Sequence, residues 1–191
     1  MIGLALLAAA AAGPMSLSWE GTAEVYPPGR KVEIAVRSRI DRDGNVVSES
    51  WPVEVGEANG LRRMTLTAEG GTTERGGQMQ PMPPEFWNEE RAQFGFYRQL
   101  QVAASIVPDR VAQGANTFSV DGEVKTWFRI GSDGQLDGAV NEVPTAKGRA
   151  WQEFQFDGFH RSNGAVFPKQ MRMTRNGDPF FLLKVTRFDA R

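Results

Sequence analysis

The sequence contains no cysteine, and that absence removes several functions at once. Disulfide scaffolds, cysteine-based zinc sites and thiol nucleophiles are excluded, as is a bacterial lipoprotein anchor, whose processing site is a cysteine. Histidine is almost as scarce. His160 is the only one, so a metal site built on paired histidines is out. An excess of either charge is missing too, with 22 Lys+Arg against 23 Asp+Glu and a formal net charge of −1. Basic residues do not run beyond Arg30-Lys31 or Arg62-Arg63, which leaves no electrostatic footprint for nucleic acid.

Motifs of catalysis are absent in the same way. No serine lies in a Gly-x-Ser-x-Gly elbow or a Ser-x-x-Lys context. Gly70-Gly71 and Gly76-Gly77 lack the following Lys-Ser or Lys-Thr of a phosphate cradle. Asp41-Arg42-Asp43-Gly44 is shorter than a calcium loop and reads as a turn. His160 falls in Phe159-His160-Arg161-Ser162-Asn163-Gly164, which reads as an exposed hairpin end. A general base there has no partner in the sequence, since Glu153 and Asp157 read as surface carboxylates. Neither a cofactor nor a metal is indicated. No apolar run reaches the roughly 20 residues of a membrane-spanning helix. Ile2 to Ala12 is shorter, with small residues at Ala10-Ala11-Ala12. It fits a secretory signal cleaved near Ala12, although no Lys or Arg precedes it. The expectation is a signal peptide over 1–12, a single domain over 13–191 and a periplasmic location.

What is present is alternation. Lys31 to Ile40 places Val32, Ile34, Val36 and Ile40 on one face, with Lys31, Glu33, Arg37 and Arg39 on the other. Val47, Trp51, Val53 and Val55 continue an alternation on the return, with Pro52 marking an edge or a bulge. Met64, Leu66 and Ala68 alternate in the next segment. In the last third, Asp121-Gly122, Asp133-Gly134, Asp157-Gly158, Asn163-Gly164 and Asn176-Gly177 punctuate apolar stretches, the signature of an antiparallel meander. Phe180-Phe181-Leu182-Leu183 breaks alternation and predicts material on both faces of its strand. Gly70 to Pro84 reads as a loop. After it, Trp87, Phe94, Tyr97, Leu100, Ala104 and Val107 recur at helical spacing, predicting one helix over Glu85 to Val107 that stops at Pro108-Asp109.

The expected fold class is therefore α+β: a strongly curved antiparallel sheet, an open or incomplete β-barrel of about eight to ten strands, with one main helix plugging or covering it. A sheet that large cannot be covered by one helix, so it must curl and enclose space. Phe156-Asp157-Gly158-Phe159, Asn163-Gly164-Ala165-Val166-Phe167-Pro168-Lys169 and Leu183-Lys184-Val185-Thr186-Arg187-Phe188 resemble the closing strands of the LolA/LolB-like superfamily. The resemblance implies an unclosed antiparallel barrel with helices plugging one side, and lipids or lipoprotein acyl chains as cargo. The missing cysteine is more like the soluble carrier than the anchored receptor. No functional residue is carried over from that family.

The strand aromatics and methionines read first as ordinary core and, as the functional alternative, as the wall of an apolar cavity. The expected wall comprises Trp51, Val53, Met64, Leu66, Phe128, Phe154, Phe156, Met171, Met173 and Leu183. Trp87, Phe94, Tyr97 and Leu100 are expected on a movable lid, with Gly95 as its hinge. The function this predicts is non-catalytic: a periplasmic binding or carrier protein for lipids or other hydrophobic ligands. Its partners would be a lipid or acyl chain and, as a further class, membrane-associated proteins. The rivals are a cell-envelope interaction protein whose cavity is packed core, and an unrecognised hydrolase.

Overall fold

The computed structural model describes residues 15–145 and 147–191; the expected leader over 1–12 lies outside them. The chain opens with a meander of β1 (Leu17–Val25), β2 (Val32–Ile40) and β3 (Val46–Pro52), then the short α1 (Glu57–Gly60), β4 (Arg62–Leu66), β5 (Gly71–Arg75) and β6 (Gln78–Pro81). The long helix α2 (Pro84–Ala112) follows. A second meander completes the chain: β7 (Thr117–Val120), β8 (Thr126–Ile130), β9 (Leu136–Thr145), β10 (Gly148–Ser162), β11 (Ala165–Arg175) and β12 (Asp178–Ala190).

All twelve strands form one antiparallel sheet in the order β6-β5-β4-β3-β2-β1-β12-β11-β10-β9-β8-β7. Every neighbour is consecutive in the chain except one pair, β1 with β12, which is the seam between the two meanders. β6 and β7 are the two free edges, so the curved sheet does not close, and α2 is the connection between those edges. Its inward stripe of Phe94, Phe96, Tyr97, Leu100, Ala103 and Val107 is buried against the sheet. Phe96 stacks on Phe154 with centroids 4.0 Å apart and on Phe128 at 5.9 Å. At the seam, Trp19 stacks on Phe167 at 4.8 Å and meets Tyr97 edge-on at 4.9 Å. Such aromatic pairs contribute about 0.5–1.5 kcal/mol each beyond their buried area.

Several local expectations are corrected. Gly70 to Pro84 is not a loop but holds the β5–β6 hairpin, turned by Gly76 and Gly77 at φ of 57° and 75°. Its strands are polar, so periodicity does not betray them, whereas the Gly-Gly pair is a hairpin signal. The helix runs through Pro108 to Ala112. Pro108 is exposed, so water can hydrate the carbonyl one turn back that it leaves without a donor. The true stop is a Schellman motif, with Ala115 N–H donating to the Arg110 carbonyl at 3.0 Å, Gly114 N–H to that of Val111 at 2.9 Å, and Gly114 at φ 74°. Asp157-Gly158 is no turn, because β10 passes straight through it with Gly158 at φ 57°. His160 accordingly sits half-buried within β10, its Nε2 2.9 Å from the Val185 carbonyl oxygen.

The most telling correction concerns β3. Its register sends Val46, Ser48 and Ser50 to the inner face beside Ile40, Ser38 and Val36 of β2, while Val47, Glu49 and Trp51 point outward. Pro52 ends an interior strand rather than marking an edge, and Val53 and Val55 lie beyond it, exposed.

Candidate functional site

Where α2 leans on the C-terminal meander, the inner face is filled. Thr126, Asn141 and Gln152 are buried there in register across β8, β9 and β10. Gln99 of the helix reaches into this strip, donating to the Val120 and Val124 carbonyls at 3.1 and 2.7 Å and accepting from the Thr126 hydroxyl at 2.9 Å. Gly122 makes room for it, since a Cβ there would fall 2.5 Å from the Gln99 amide nitrogen. On the other side of the helix the inner face is lined by small groups instead. Ala23, Ser38, Ser48 and Ser50 stand among Val25, Ile34 and Val36, and no side chain of α2 is long enough to fill the space above them.

The result is a half-open cavity of about 320 Å³ between α2 and the inner faces of β1–β4 and β12. That lies at the lower end of ligand pockets, roughly 300–1,000 Å³. Its floor is apolar, from Val25, Ile34, Val36, Met64, Phe181 and Leu183, and Trp19, Phe94 and Tyr97 form the wall nearest the core. Its mouth is polar, with Arg62 on β4 and Glu89, Glu90 and Gln93 on the helix. Glu89 is engaged in an ion pair with Arg175 at 2.7 Å, and the Arg175 guanidinium lies 3.7 Å above the Phe180 ring. A larger hollow of about 810 Å³ on the outer face is lined by groups such as Arg37, Glu49, Arg63 and Asp189. Its centre is already satisfied: Glu49 accepts from Arg37 Nε at 2.7 Å and Arg63 Nε at 2.9 Å.

No protein-family model matches the chain, and no curated protein does. Among solved structures, a LolA superfamily protein from Nitrosomonas europaea superposes over 91% of this chain and 84% of its own, with a TM-score of 0.50 and 9% identity. A DUF1329 family protein from Desulfovibrio piger covers 94% of this chain and 86% of its own, at a TM-score of 0.43 and 8% identity. The chain has a LolA-like fold. At such identity the likeness concerns the fold alone.

Within this LolA-like barrel the expected wall and lid residues separate into three groups. Met64, Leu183, Phe94 and Tyr97 meet at the cavity. Leu66, Phe128, Phe154, Met171, Met173 and Leu100 are sealed in the core, and Phe156 and Trp87 pack against that cluster, away from the cavity lining. Trp51 is on the outer face with the Arg37 guanidinium 5.6 Å from its ring, and Val53 is 48% exposed beyond β3. Strand propensity favours aromatics and methionines whether they line a void or fill one, so residue type did not separate these groups. The residues that hollow the cavity are Ser38, Ser48 and Ser50; the alternation of Val47 and Trp51 put Ser48 and Ser50 on the opposite, outer face. The only signal for them was negative, two serines at alternate positions of β3, with Ser38 of β2 opposite Ser48.

Helix α2, expected as a movable lid, is fastened to its surroundings along its length. Trp87 Nε1 donates to the Thr67 carbonyl at 3.2 Å, Arg98 donates to those of Asp41 and Arg42 at 2.7 and 2.6 Å, and Gln101 donates to that of Val166 at 2.7 Å. Arg91 pairs with Glu123. Lifting the helix would break these bonds and expose Phe96 and Leu100. Gly95 sits in uninterrupted helix, and a Cβ added to it would stand 3.9 Å from its nearest neighbour, Glu123.

Glu90 is the electrostatic anomaly of the site. Loss of hydration beside the cavity pushes its carboxyl above the ordinary range, and neighbouring Glu89 adds to the effect, while Arg62 and Arg175 oppose it. Its folded pKa exceeds its unfolded one, so the folded state holds more protons between the two values. Stability is then lost as pH rises from the ordinary carboxylate range through the raised value. Glu49 works in the opposite window. Burial raises its pKa, but hydrogen bonds from Arg63 and Arg37 outweigh this and lower it, so its contribution disappears only as pH falls through its lowered value. Glu90→Gln should therefore raise the melting temperature of ligand-free protein at neutral pH and flatten its decline from acid to neutral. Thermal melts from pH 5 to 8 check this, and a variant melting below wild type at pH 7 would contradict it.

Proposed function

We propose that this protein is a non-catalytic binding or carrier protein that holds the apolar chain of a lipid or similar amphiphile between α2 and the inner face of β1–β4 and β12. One observation carries the reading: an apolar floor, continuous with the hydrophobic core, remains open to solvent where three inner-face serines leave the space above it unfilled. Each methylene transferred from water to that floor contributes roughly 0.8 kcal/mol, so micromolar binding, about 8 kcal/mol, takes a chain of at least about ten methylenes. No covalent chemistry is needed. Among the described residues, no group of three or more His, Asp or Glu could hold a metal ion, and none of their helices is long and apolar enough to cross a membrane. The LolA-like fold favours cargo transfer in the periplasm, the location that the Ile2–Ala12 run also suggests.

The test is to fill the cavity without disturbing the sheet. Ser50 lines the cavity, and its side chain makes no hydrogen bond among the described residues. Ser50→Phe should weaken binding of an uncharged fluorescent acyl probe by at least about tenfold, the equivalent of ~1.4 kcal/mol. It should leave the unfolding free energy within ~1 kcal/mol of wild type. Unchanged probe affinity in a stably folded variant, or no probe binding by wild type at micromolar concentrations, would reject the proposal.

A further inference from the structure

The polar groups at the mouth of the cavity are not equivalent. Glu89 and Arg175 neutralise each other, and Arg175 is further held by Phe180. Gln93 is uncharged. That leaves one cation and one carboxylate. Arg62 projects from the inner face of β4 in register with Ser50 and makes no ion pair with another described residue. Glu90, one turn of helix before Phe94 and two before Tyr97, has no hydrogen-bond or ion-pair partner among the described residues. Other largely buried acidic groups are satisfied, Glu49 on the sheet by two arginines and Glu89 on the helix by one. An unpaired carboxylate half-buried beside an apolar floor is costly unless something comes to meet it.

Resting on the binding function proposed above, we propose that the cavity selects a single-chain zwitterionic amphiphile, its primary ammonium donating to Glu90 and its anionic group accepting from Arg62. The size agrees, since about 320 Å³ accommodates one chain rather than several. The charges agree as well. A fatty acid would satisfy Arg62 and be repelled by Glu90, a simple amine would do the reverse, and a head bearing both signs satisfies both. A primary ammonium, unlike a quaternary one, can form a charge-assisted hydrogen bond with the carboxylate. Glu90 is partly exposed at the mouth of the cavity, where an incoming ammonium can reach its carboxylate.

The experiment uses the full chain at pH 7.5 and titrations below micelle-forming concentrations. The probes are lysophosphatidylethanolamine, lysophosphatidylcholine and lysophosphatidylglycerol of equal chain length, with the uncharged fluorescent acyl probe as reference. Wild type should bind the ethanolamine head about tenfold more tightly than the other two, the effect expected of one charge-assisted hydrogen bond. Glu90→Gln should reduce that preference to within about twofold. Arg62→Gln should weaken all three phosphate-bearing lipids together. If wild type binds the uncharged probe but does not distinguish the three heads, or if Glu90→Gln keeps the preference intact, the zwitterion assignment is overturned and the binding function stands. If neither the probe nor any lysolipid binds, both fall.

Discussion

Gly21→Ala is expected to prevent the sheet from assembling as one piece. Gly21 sits at the seam, where the register between β1 and β12 slips from Glu20–Arg187 to Gly21–Val185, so that Thr186 has no partner of its own. The backbones approach so closely there that a Cβ on Gly21 would fall 2.0 Å from the Lys184 carbonyl oxygen, 2.9 Å from its carbonyl carbon and 3.0 Å from the Val185 Cα. All three are main-chain atoms and no rotamer change can move them aside, so β1 and β12 must separate. The seam is the single pairing in the described sheet between strands that are not consecutive, and Trp19, Phe167 and Phe188 pack around it. Its loss should exceed the ~4–5 kcal/mol that marks an exceptional substitution. Expression in inclusion bodies, or a soluble product without a cooperative thermal transition, is the expected result. A variant that melts cooperatively within a few degrees of wild type would show that the seam tolerates a methyl group.

Phe96→Ala should be the most costly core truncation on the helix. Phe96 is 1% exposed and lies against Phe154, Phe128, Tyr97 and Phe156. Removing it leaves a ring-sized void beneath α2 and should cost about 3–5 kcal/mol, which for a chain of this length lowers the melting temperature on the order of 10 °C. Phe96 does not line the cavity, so the folded fraction should bind the acyl probe as wild type does. Loss of binding out of proportion to loss of folded protein would mean that helix position and cavity are coupled, and would revive the lid that the packing argues against. Hydrogen exchange gives an independent check: amides around Phe96 and Leu100 should be as protected as those of β10 and β11, with or without ligand.

Much of the architecture was legible because strands and turns are local. The alternation of Val32, Ile34, Val36 and Ile40 needs only a period of two, and it placed β2 correctly. Asn163-Gly164 and Asn176-Gly177 do adopt positive φ at both positions, 46° and 81°, and 52° and 89°, as two-residue hairpin turns require. The helix stripe through Phe94, Tyr97, Leu100 and Val107 was readable for the same reason. Failures came where a local cue was ambiguous. Polar β5 and β6 carried no apolar period, and Pro108 was a helix stop only on the assumption that its side of the helix would be buried. In β3 the valines and tryptophan outlined a face, but it was the outer one, because the inner face of that strand borders a void and bears serines.

The cavity was the least legible feature. Its volume is a difference between what the inner face offers and what α2 supplies, and those belong to segments far apart in the chain. Met64, Leu183, Phe94 and Tyr97 come together there from β4, β12 and α2, while equally apolar Phe128, Phe154, Met171 and Met173 are covered by the other flank of the same helix. Glu90 looked like one more acidic residue in the first turns of a helix.

By itself, then, the sequence determined most of the secondary elements, their antiparallel succession and the need for so large a sheet to curl, all of which follow from periodicity and turn chemistry between near neighbours. Only the tertiary structure decided that β1 pairs with β12, that α2 is fixed across one half of the inner face, and that a hollow with Arg62 and Glu90 at its mouth remains over the other half. Those outcomes depend on how side-chain volumes and charges from separate elements meet in space, and no pattern confined to a single strand or helix records that.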